Sequence, residues 1–510
     1  MRKHPYPPCG SSTLEILIAL FVLSLTLCAV ILVIFGNQSL AIDAHNYQEA
    51  LGLSKAQLEW AHALAEYDFN LLNSTSSTKT IDSITYTESL TVTQADLFTK
   101  KIDSAVLWQQ GGRTVQVNLS TLLTNPTGLV SGNSCSSVLT SGWATPQLTG
   151  PIAIGSNTGG NPVTSMHAFN KKLYVTTSNT SGHNNDFYIF SLLMPQAPTL
   201  LSELDTNTTT AGLNDVAIAS TTTNVFGFVA NGVSPNFTTC SESATCSQLQ
   251  ILDMTNVAHP SVVRNYKLNS TLAPFVKGSG GQANANTVVY SNGYVYLGLT
   301  KTALGPEFNI LDVGAKVGTP TNPVYLGGFS VGRGVSSITV SHGYAYLTTS
   351  DTTRELIVLD IHNPANPTQV TLFDAPGSSG FGLGNTSTVL GSTVFLGRNY
   401  VSNAPEFYAL AASNPLGSLP VISSLDIGTN AHTEGISSLI VRGTIVFMTT
   451  TRTVQLWDIT SITTPTLITS LDLSASGSVG ITSTCEGNTV YIGGYKTATY
   501  KGAMYILSAT

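Results

Sequence analysis

The sequence predicts a mainly β protein: a long hydrophobic N-terminal helix with a small antiparallel sheet, followed by a seven-bladed β-propeller. Three observations predict it. Residues Ile16 to Phe35 form an uncharged apolar run. The segments behind it alternate polar and apolar residues, the period of half-buried strands. From residue 144 onward a four-strand pattern recurs at roughly 50-residue intervals.

The N-terminus comes first. Met1 to Gly10 is a short leader carrying Arg2 and Lys3, then come Ser11, Glu15 and the uncharged run. At about 1.5 Å per residue that run spans about 30 Å, so 14–35 is expected to cross a membrane. A secretory apolar region is shorter, about 7–15 residues, with its small-residue cleavage site behind it. Here the Gly10-Ser11 junction lies in front, so cleavage there keeps the run on the mature chain. The basic residues Arg2 and Lys3 precede the run and the next, Lys55, follows it. That asymmetry leaves the N-terminus cytoplasmic and sends the rest out. Glu15 also fits a capping box with Ser12, which needs only this one helix.

Leader, glycine, glutamate and uncharged run together resemble the type IV prepilin family. The resemblance implies that a prepilin peptidase cuts between Gly10 and Ser11 and methylates the new N-terminus. It implies that Glu15 enters an apolar filament core and neutralises the amino group of an adjacent subunit, since a lone carboxylate there is costly. Ser11 departs from the Phe or Met usual at the first mature position. The implied partners are the peptidase, other pilin subunits and the assembly machinery. The implied location is the bacterial inner membrane, single-pass, before assembly and an extracellular filament after it.

The helix is expected to run over 11–66. Leu40, Ala44, Tyr47, Leu51, Leu58, Ala61 and Ala65 keep one helical face, with Gly36 and Gly52 as weak points. Residues 67–125 read as a small β domain. TIDSITYTESLTVT, KKIDSAVLWQ and RTVQVNLSTLL are its strands, and Gly111-Gly112 turns between the last two. A long helix on a small sheet is also the pilin layout, and 108–125 looks like the sheet end of minor pilins. By composition 126–143 is a linker.

The propeller is expected over 144–510. A strand behind a Gly or Asn turn recurs around Tyr174, Phe228, Tyr296, Tyr346, Phe395, Phe447 and Tyr491. A second strand ends in Asp, with proline seven residues on: Asp253 and Pro260, Asp360 and Pro367, Asp458 and Pro465; Asp312 and Pro320 stand one residue further apart. The aromatics are expected in the core and the Asp residues as turn caps rather than metal ligands. The last repeat has three strands, and TPQLTGPIAI (145–154) resembles TPTLITSLDL (464–473), so that strand is expected to complete the last blade and close two open edges. The motif resembles the LVIVD-type propeller repeat.

Charged residues make up 10% of the chain and the net charge is −7, which leaves no basic surface for nucleic acid. Cys9 lies in the leader and Cys28 in the membrane run. The other four suit an oxidising compartment, with Cys240–Cys246 read as a local staple and Cys135–Cys485 as the remaining pair. No spacing announces a metal site or a cofactor, and the protein is read as no enzyme. Gly328-Phe-Ser330-Val-Gly332 matches a hydrolase elbow, but it sits between two propeller strands instead of at a strand-to-helix turn. The longest insertion in the repeats, Asn231–Ser247, is the first candidate contact with an unknown surface ligand, through Asn231, Asn236 and Phe237. The function read from all this is a pilin-like filament subunit, minor or at the tip, displaying a propeller for adhesion or surface binding. The alternative is a membrane-anchored extracytoplasmic propeller, enzyme or binding protein, that never joins a filament.

Overall fold

The computed structural model describes residues 13–68, 72–94, 99–124, 142–155, 161–178, 185–209, 211–220, 224–237, 239–268, 283–377, 383–412, 417–427 and 434–510. The leader with Cys9 and Gly10, Ser11, Cys135 and residues 125–141 of the linker lie outside them. The chain divides into two compact units, one of Met1–Tyr67 with Leu71–Leu123 and one that is mainly Thr124–Thr510.

The first unit is built on one helix, α1 (Thr13–Asp68), which runs unbroken through both Gly36 and Gly52. Its 56 residues correspond to about 84 Å at 1.5 Å per residue. Glu15–Ile34 is long and apolar enough to cross a membrane, and none of it is buried in the fold. Its two hydroxyls turn inward to the helix itself: Ser24 Oγ donates to Phe21 O (2.8 Å) and Thr26 Oγ1 to Leu23 O (2.9 Å). Neither hydroxyl therefore depends on water.

The C-terminal half of α1 packs on a four-stranded sheet of β1 (Thr75–Ile81), β2 (Ile84–Gln94), β3 (Thr99–Gln110) and β4 (Arg113–Thr124), in consecutive order. Ala50 meets Tyr86, Val106, Trp108 and Val117 in its core. Ser54 donates to Ser104 (2.8 Å), which donates to Gln57 (2.6 Å), so the buried hydroxyls on helix and sheet satisfy each other. The segment expected as one strand over 80–93 is broken in two. Asp82 and Ser83 both take positive φ, 48° and 67°, and make the two-residue hairpin that pairs Ile81 with Ile84. Asp-Ser lacks the glycine by which such turns are normally recognised.

The second unit holds seven four-stranded sheets among the described residues, spanning 163–204, 213–266, 285–329, 335–373, 384–425, 436–472 and 478–508. The seventh takes its fourth strand from the front of the unit: β5 (Gln147–Ala153) pairs antiparallel with Gly502–Ser508. Inner strands of successive blades pack side by side, and that of the seventh packs on that of the first, closing a propeller. At this seam Ala168 N–H donates to Thr484 Oγ1 (3.1 Å) and Lys171 N–H to Glu486 (2.9 Å). Trp143, placed in the linker by composition, is buried edge-on against Phe447 (4.9 Å). Gly142 accepts from the N–H of Thr510 (3.4 Å), and a Cβ at Gly142 would lie 2.1 Å from Thr510 O, so only glycine fits there.

All seven repeated aromatics, Tyr174 through Tyr491, are buried. Asp253, Asp360 and Asp458 each accept the N–H two residues on (2.9, 2.9 and 2.7 Å), the Asx turn their spacing predicts. Asp312, whose turn is one residue longer, accepts four N–H groups, from Gly314, Ala315, Lys316 and Val317.

In every blade the inner strand carries a bulge, at its second residue in six blades and at Ile481, its fourth, in the seventh. A bulge leaves that residue unpaired and re-aims its side chain. In five blades it reaches the next one: Thr164 to Leu213 O (2.6 Å), Asn214 to Ala285 O (2.6 Å), Asn286 to Val335 O (3.1 Å), Asn385 to Ile436 O (3.0 Å) and Ser437 to Gly480 O (3.3 Å). Ile481 holds the position in the seventh blade and has nothing to donate. That seam uses β5 and the backbone bonds above instead.

Candidate functional site

The two faces of the ring are built differently. On one, tight hairpins such as Asn292-Gly293 and His342-Gly343 join inner to second strands with positive φ at both residues. On the other, the second-to-third connections and the crossings between blades meet, and these vary most in length. An acceptor just before the third strand ties the two kinds of loop together. Asp186 accepts from Thr206 N (2.9 Å), Gln248 from Leu268 N (3.0 Å), Glu307 from Val331 N (2.9 Å), Glu355 from Ala375 N (3.0 Å) and Glu406 from Ile427 N (3.0 Å). Each donor lies two residues past the end of a fourth strand. The face with the variable loops is therefore pinned to the scaffold at five regular points.

Between the first and second of these points lies an open groove of about 560 Å³. One wall is the crossing around Thr208, Thr209 and Ala211; the other is the long insertion at Val233–Pro235 and Cys240–Cys246. The insertion is closed by a Cys240–Cys246 disulfide. The crossing is held by Asp186, which also accepts from Thr206 Oγ1 (2.8 Å) and Thr208 Oγ1 (2.7 Å). Thr208 Oγ1 in turn accepts from Gly212 N (3.1 Å).

The three residues singled out in the insertion have different fates. Asn231 and Phe237 are corrected from contacts to framework. Asn231 is fully buried; its amide donates to Ala244 O (2.7 Å) and Ser247 Oγ (3.2 Å), and its oxygen accepts from Val233 N (3.0 Å). Phe237 is buried with Cys246 and Ala283. An insertion this long needs its own small core and its own backbone acceptors, and these two residues supply them. Asn236 is exposed.

Burial pushes the Asp186 carboxyl up to about 6, against the lowering effect of its Thr208 and Thr206 hydrogen bonds. Between about pH 4 and 6 the folded chain keeps a proton that the unfolded chain releases. This group's contribution to stability is therefore greatest below pH 4 and falls as the pH rises to 6. The difference from an ordinary Asp corresponds to about 3 kcal/mol. Asp186→Asn should remove it: unfolding free energies measured from pH 4 to 7 should rise in the variant relative to the parent by about that amount. A flat difference across this range contradicts the assignment.

The central channel is the second concavity, about 330 Å³, running from Ser165 to the hairpins at Asn292 and Gly391. Six inner strands contribute polar residues to its lining: Ser165, Asp215, Thr287, Ser337, Ser387 and Thr482. Asp215 interrupts a ring of hydroxyls. It accepts from Ser165 (2.7 Å), Thr287 (2.9 Å) and the N–H groups of Val216 and Val288 (2.8 and 2.9 Å), and burial raises its carboxyl above the usual range. With both oxygens engaged across three inner strands, it acts as a clamp.

The hydrolase-like Gly328–Gly332 stretch lies at a fourth-strand exit with Ser330 exposed. An elbow needs the N–H after its serine for an oxyanion. Here Val331 N and Gly332 N both donate to Glu307 Oε2 (2.9 Å each), so that donor is taken. Glu15 sits exposed in the first turn of α1. Cys485 is disulfide-bonded and buried, and its expected partner Cys135 lies outside the described residues.

Sequence reasoning missed the acceptor before each third strand. Its signal is present in hindsight as DFYIF, QLQIL, EFNIL, ELIVL and EFYAL, one polar acceptor directly ahead of an apolar run.

A family model described as the LVIVD repeat matches residues 332–375, which is the fourth blade and its flanks. No curated protein matches the chain. Similar solved structures include a quinonprotein alcohol dehydrogenase-like protein of Bacteroides thetaiotaomicron, 10% identical, covering 79% of this chain and 89% of its own, with a TM-score of 0.40. Others are the N-terminal domain of Nup159 (11% identical, 74% and 100% covered, TM-score 0.41) and YCF48 bound to D1 peptide (10%, 71% and 96%, TM-score 0.42). These likenesses are too low to carry an argument, and the propeller rests on the chain's own sheet order and ring closure.

Proposed function

We propose that the protein is a type IV pilin-like subunit, minor or at the tip of its filament, that displays a propeller for adhesion or surface binding. One observation supports this reading above a plain membrane anchor: α1 continues from its exposed apolar half, Glu15–Ile34, straight into a half that packs on the sheet of β1–β4. An anchor needs only the first half. A subunit that leaves the membrane for a filament needs its apolar half rigidly joined to a folded body, since neighbouring helices must then replace the lipid. Glu15 heads that apolar half, where the amino group of a neighbouring subunit would be its partner. The partners on this reading are a prepilin peptidase, other pilin subunits and the assembly machinery. The propeller's pinned, variable-loop face is the part that meets a target.

Co-expression with a prepilin peptidase tests the reading. The chain should lose its first ten residues, and Gly10→Val should block that loss. Unchanged processing in the Gly10 variant would count against it.

A further inference from the structure

We infer that the groove between the first and second blades takes a neutral saccharide. The inference deepens the surface-binding function proposed above and rests on that reading for its biological setting. The groove is open and of ordinary ligand-site size, about 560 Å³. Five hydroxyls line it, those of Thr209, Ser234, Ser241, Ser243 and Thr245, beside Thr208, whose own hydroxyl is taken by Asp186 and Gly212. A hydroxyl is both donor and acceptor, as is every hydroxyl of a sugar. Val233, Pro235 and the Cys240–Cys246 disulfide supply the apolar surface that a sugar ring's C–H face needs.

Charge decides against ionic ligands. None of the described lining residues is charged. The charges next to the groove are occupied within the fold: Glu242 pairs with Arg264 (3.0 Å) and accepts from Lys267 N (3.0 Å), while Lys267 Nζ donates to Cys240 O (2.6 Å). Secondary structure decides against an extended peptide. The insertion wall is made of turns, with a single isolated bridge, Ser243 to Cys246, so it offers no strand edge to extend.

The crossing wall adds an independent sign of function. Asn207 and Thr209 both stand in the left-handed region, with φ of 61° and 64°. For a β-branched residue such as Thr209 this is a true outlier, and such residues persist only where the surroundings over-determine them. Here Asp205 accepts Asn207 N (2.8 Å), and the buried Asp186 holds Thr206 and Thr208 on either side. The fold keeps one costly conformation, that of Thr209, at the rim of its hydroxyl-lined groove. The groove's described lining includes no aromatic platform, so affinity at one site is weak, and several copies on one surface raise it by avidity.

The test uses the full chain in detergent micelles on an array of neutral hexose and N-acetylhexosamine oligosaccharides. Sialylated and sulfated glycans and neutral Ser/Thr-rich peptides serve as competitors. Neutral glycans should bind, and Ser241→Trp and Thr245→Arg, both at exposed positions, should each weaken binding at least tenfold without moving the melting temperature. Binding that ignores both substitutions, a preference for charged glycans or for peptides, or no binding at all would overturn the inference. Leader processing is read on the same preparation. A processed chain without glycan binding defeats the saccharide site alone; an unprocessed chain that binds defeats the pilin reading alone.

Discussion

A propeller that begins at residue 156 is expected to lose its ring, whereas one that begins at residue 142 is expected to fold as a monomer. The difference is β5. It pairs with Gly502–Ser508 through Ala503, Met504, Ile506, Leu507 and Ser508. Without it the seventh blade ends on an open edge beside a buried apolar strand, the feature that invites aggregation. The backbone hydrogen bonds lost are worth about 1 kcal/mol each, and losing the buried Trp143 adds about 3–5 kcal/mol. Their sum rivals the whole stability of a typical domain, about 5–15 kcal/mol. Size-exclusion chromatography and thermal melting distinguish the two chains. Adding a peptide of residues 142–155 to the shorter one should restore monomer and melting together. A stable monomer from residue 156 onward would show that the ring closes without β5.

The second large effect is expected at Arg398, between the fourth and fifth blades. Arg398 and Glu355 are both fully buried, with 3.4 Å between Nη1 and Oε1. The guanidinium also donates to Pro405 O (2.7 Å), Pro376 O (2.9 Å) and Tyr408 Oη (3.3 Å), and lies over the Tyr408 ring at 5.3 Å. Burial raises the Glu355 carboxyl, and the nearby Arg398 opposes this. Removing one partner leaves a charge buried alone, which costs about 3–5 kcal/mol. Arg398→Met should therefore lower the unfolding free energy by that amount, seen as a lower denaturant midpoint at constant slope. Adding Glu355→Gln should recover part of it, because the stranded charge is then gone. A loss of less than about 1 kcal/mol in the single variant would mean that water reaches the pair.

Much of this architecture was legible in the residues. The repeated aromatics and the Asp-to-proline spacing mark strands that must be core on one side and turn on the other, and local chemistry decides both. The split blade was legible because a fourth strand is needed to cover an edge, and 145–154 looks like its counterpart at 464–473. What escaped depends on residues far apart in the chain. The bulge residues Thr164, Asn214, Asn286, Asn385 and Ser437 act on the next blade, and nothing in their own strand announces it. The groove joins two loops about thirty residues apart, one of them held by Asp186 in a third. Asn231 and Phe237 were assigned to a contact surface because polar insertions read as solvent-facing, yet a loop of this length has to bury something of its own. The Asp82-Ser83 hairpin shows the same limit on a small scale, a positive-φ turn made without glycine.

The pilin-like role is tested most directly by the intact mass of the chain after co-expression with a prepilin peptidase. The role predicts a chain that starts at Ser11 and carries one added methyl group on its N-terminus. A mass that still begins at Met1, with an active peptidase shown on a control pilin, would contradict it and leave a propeller anchored to the membrane by α1.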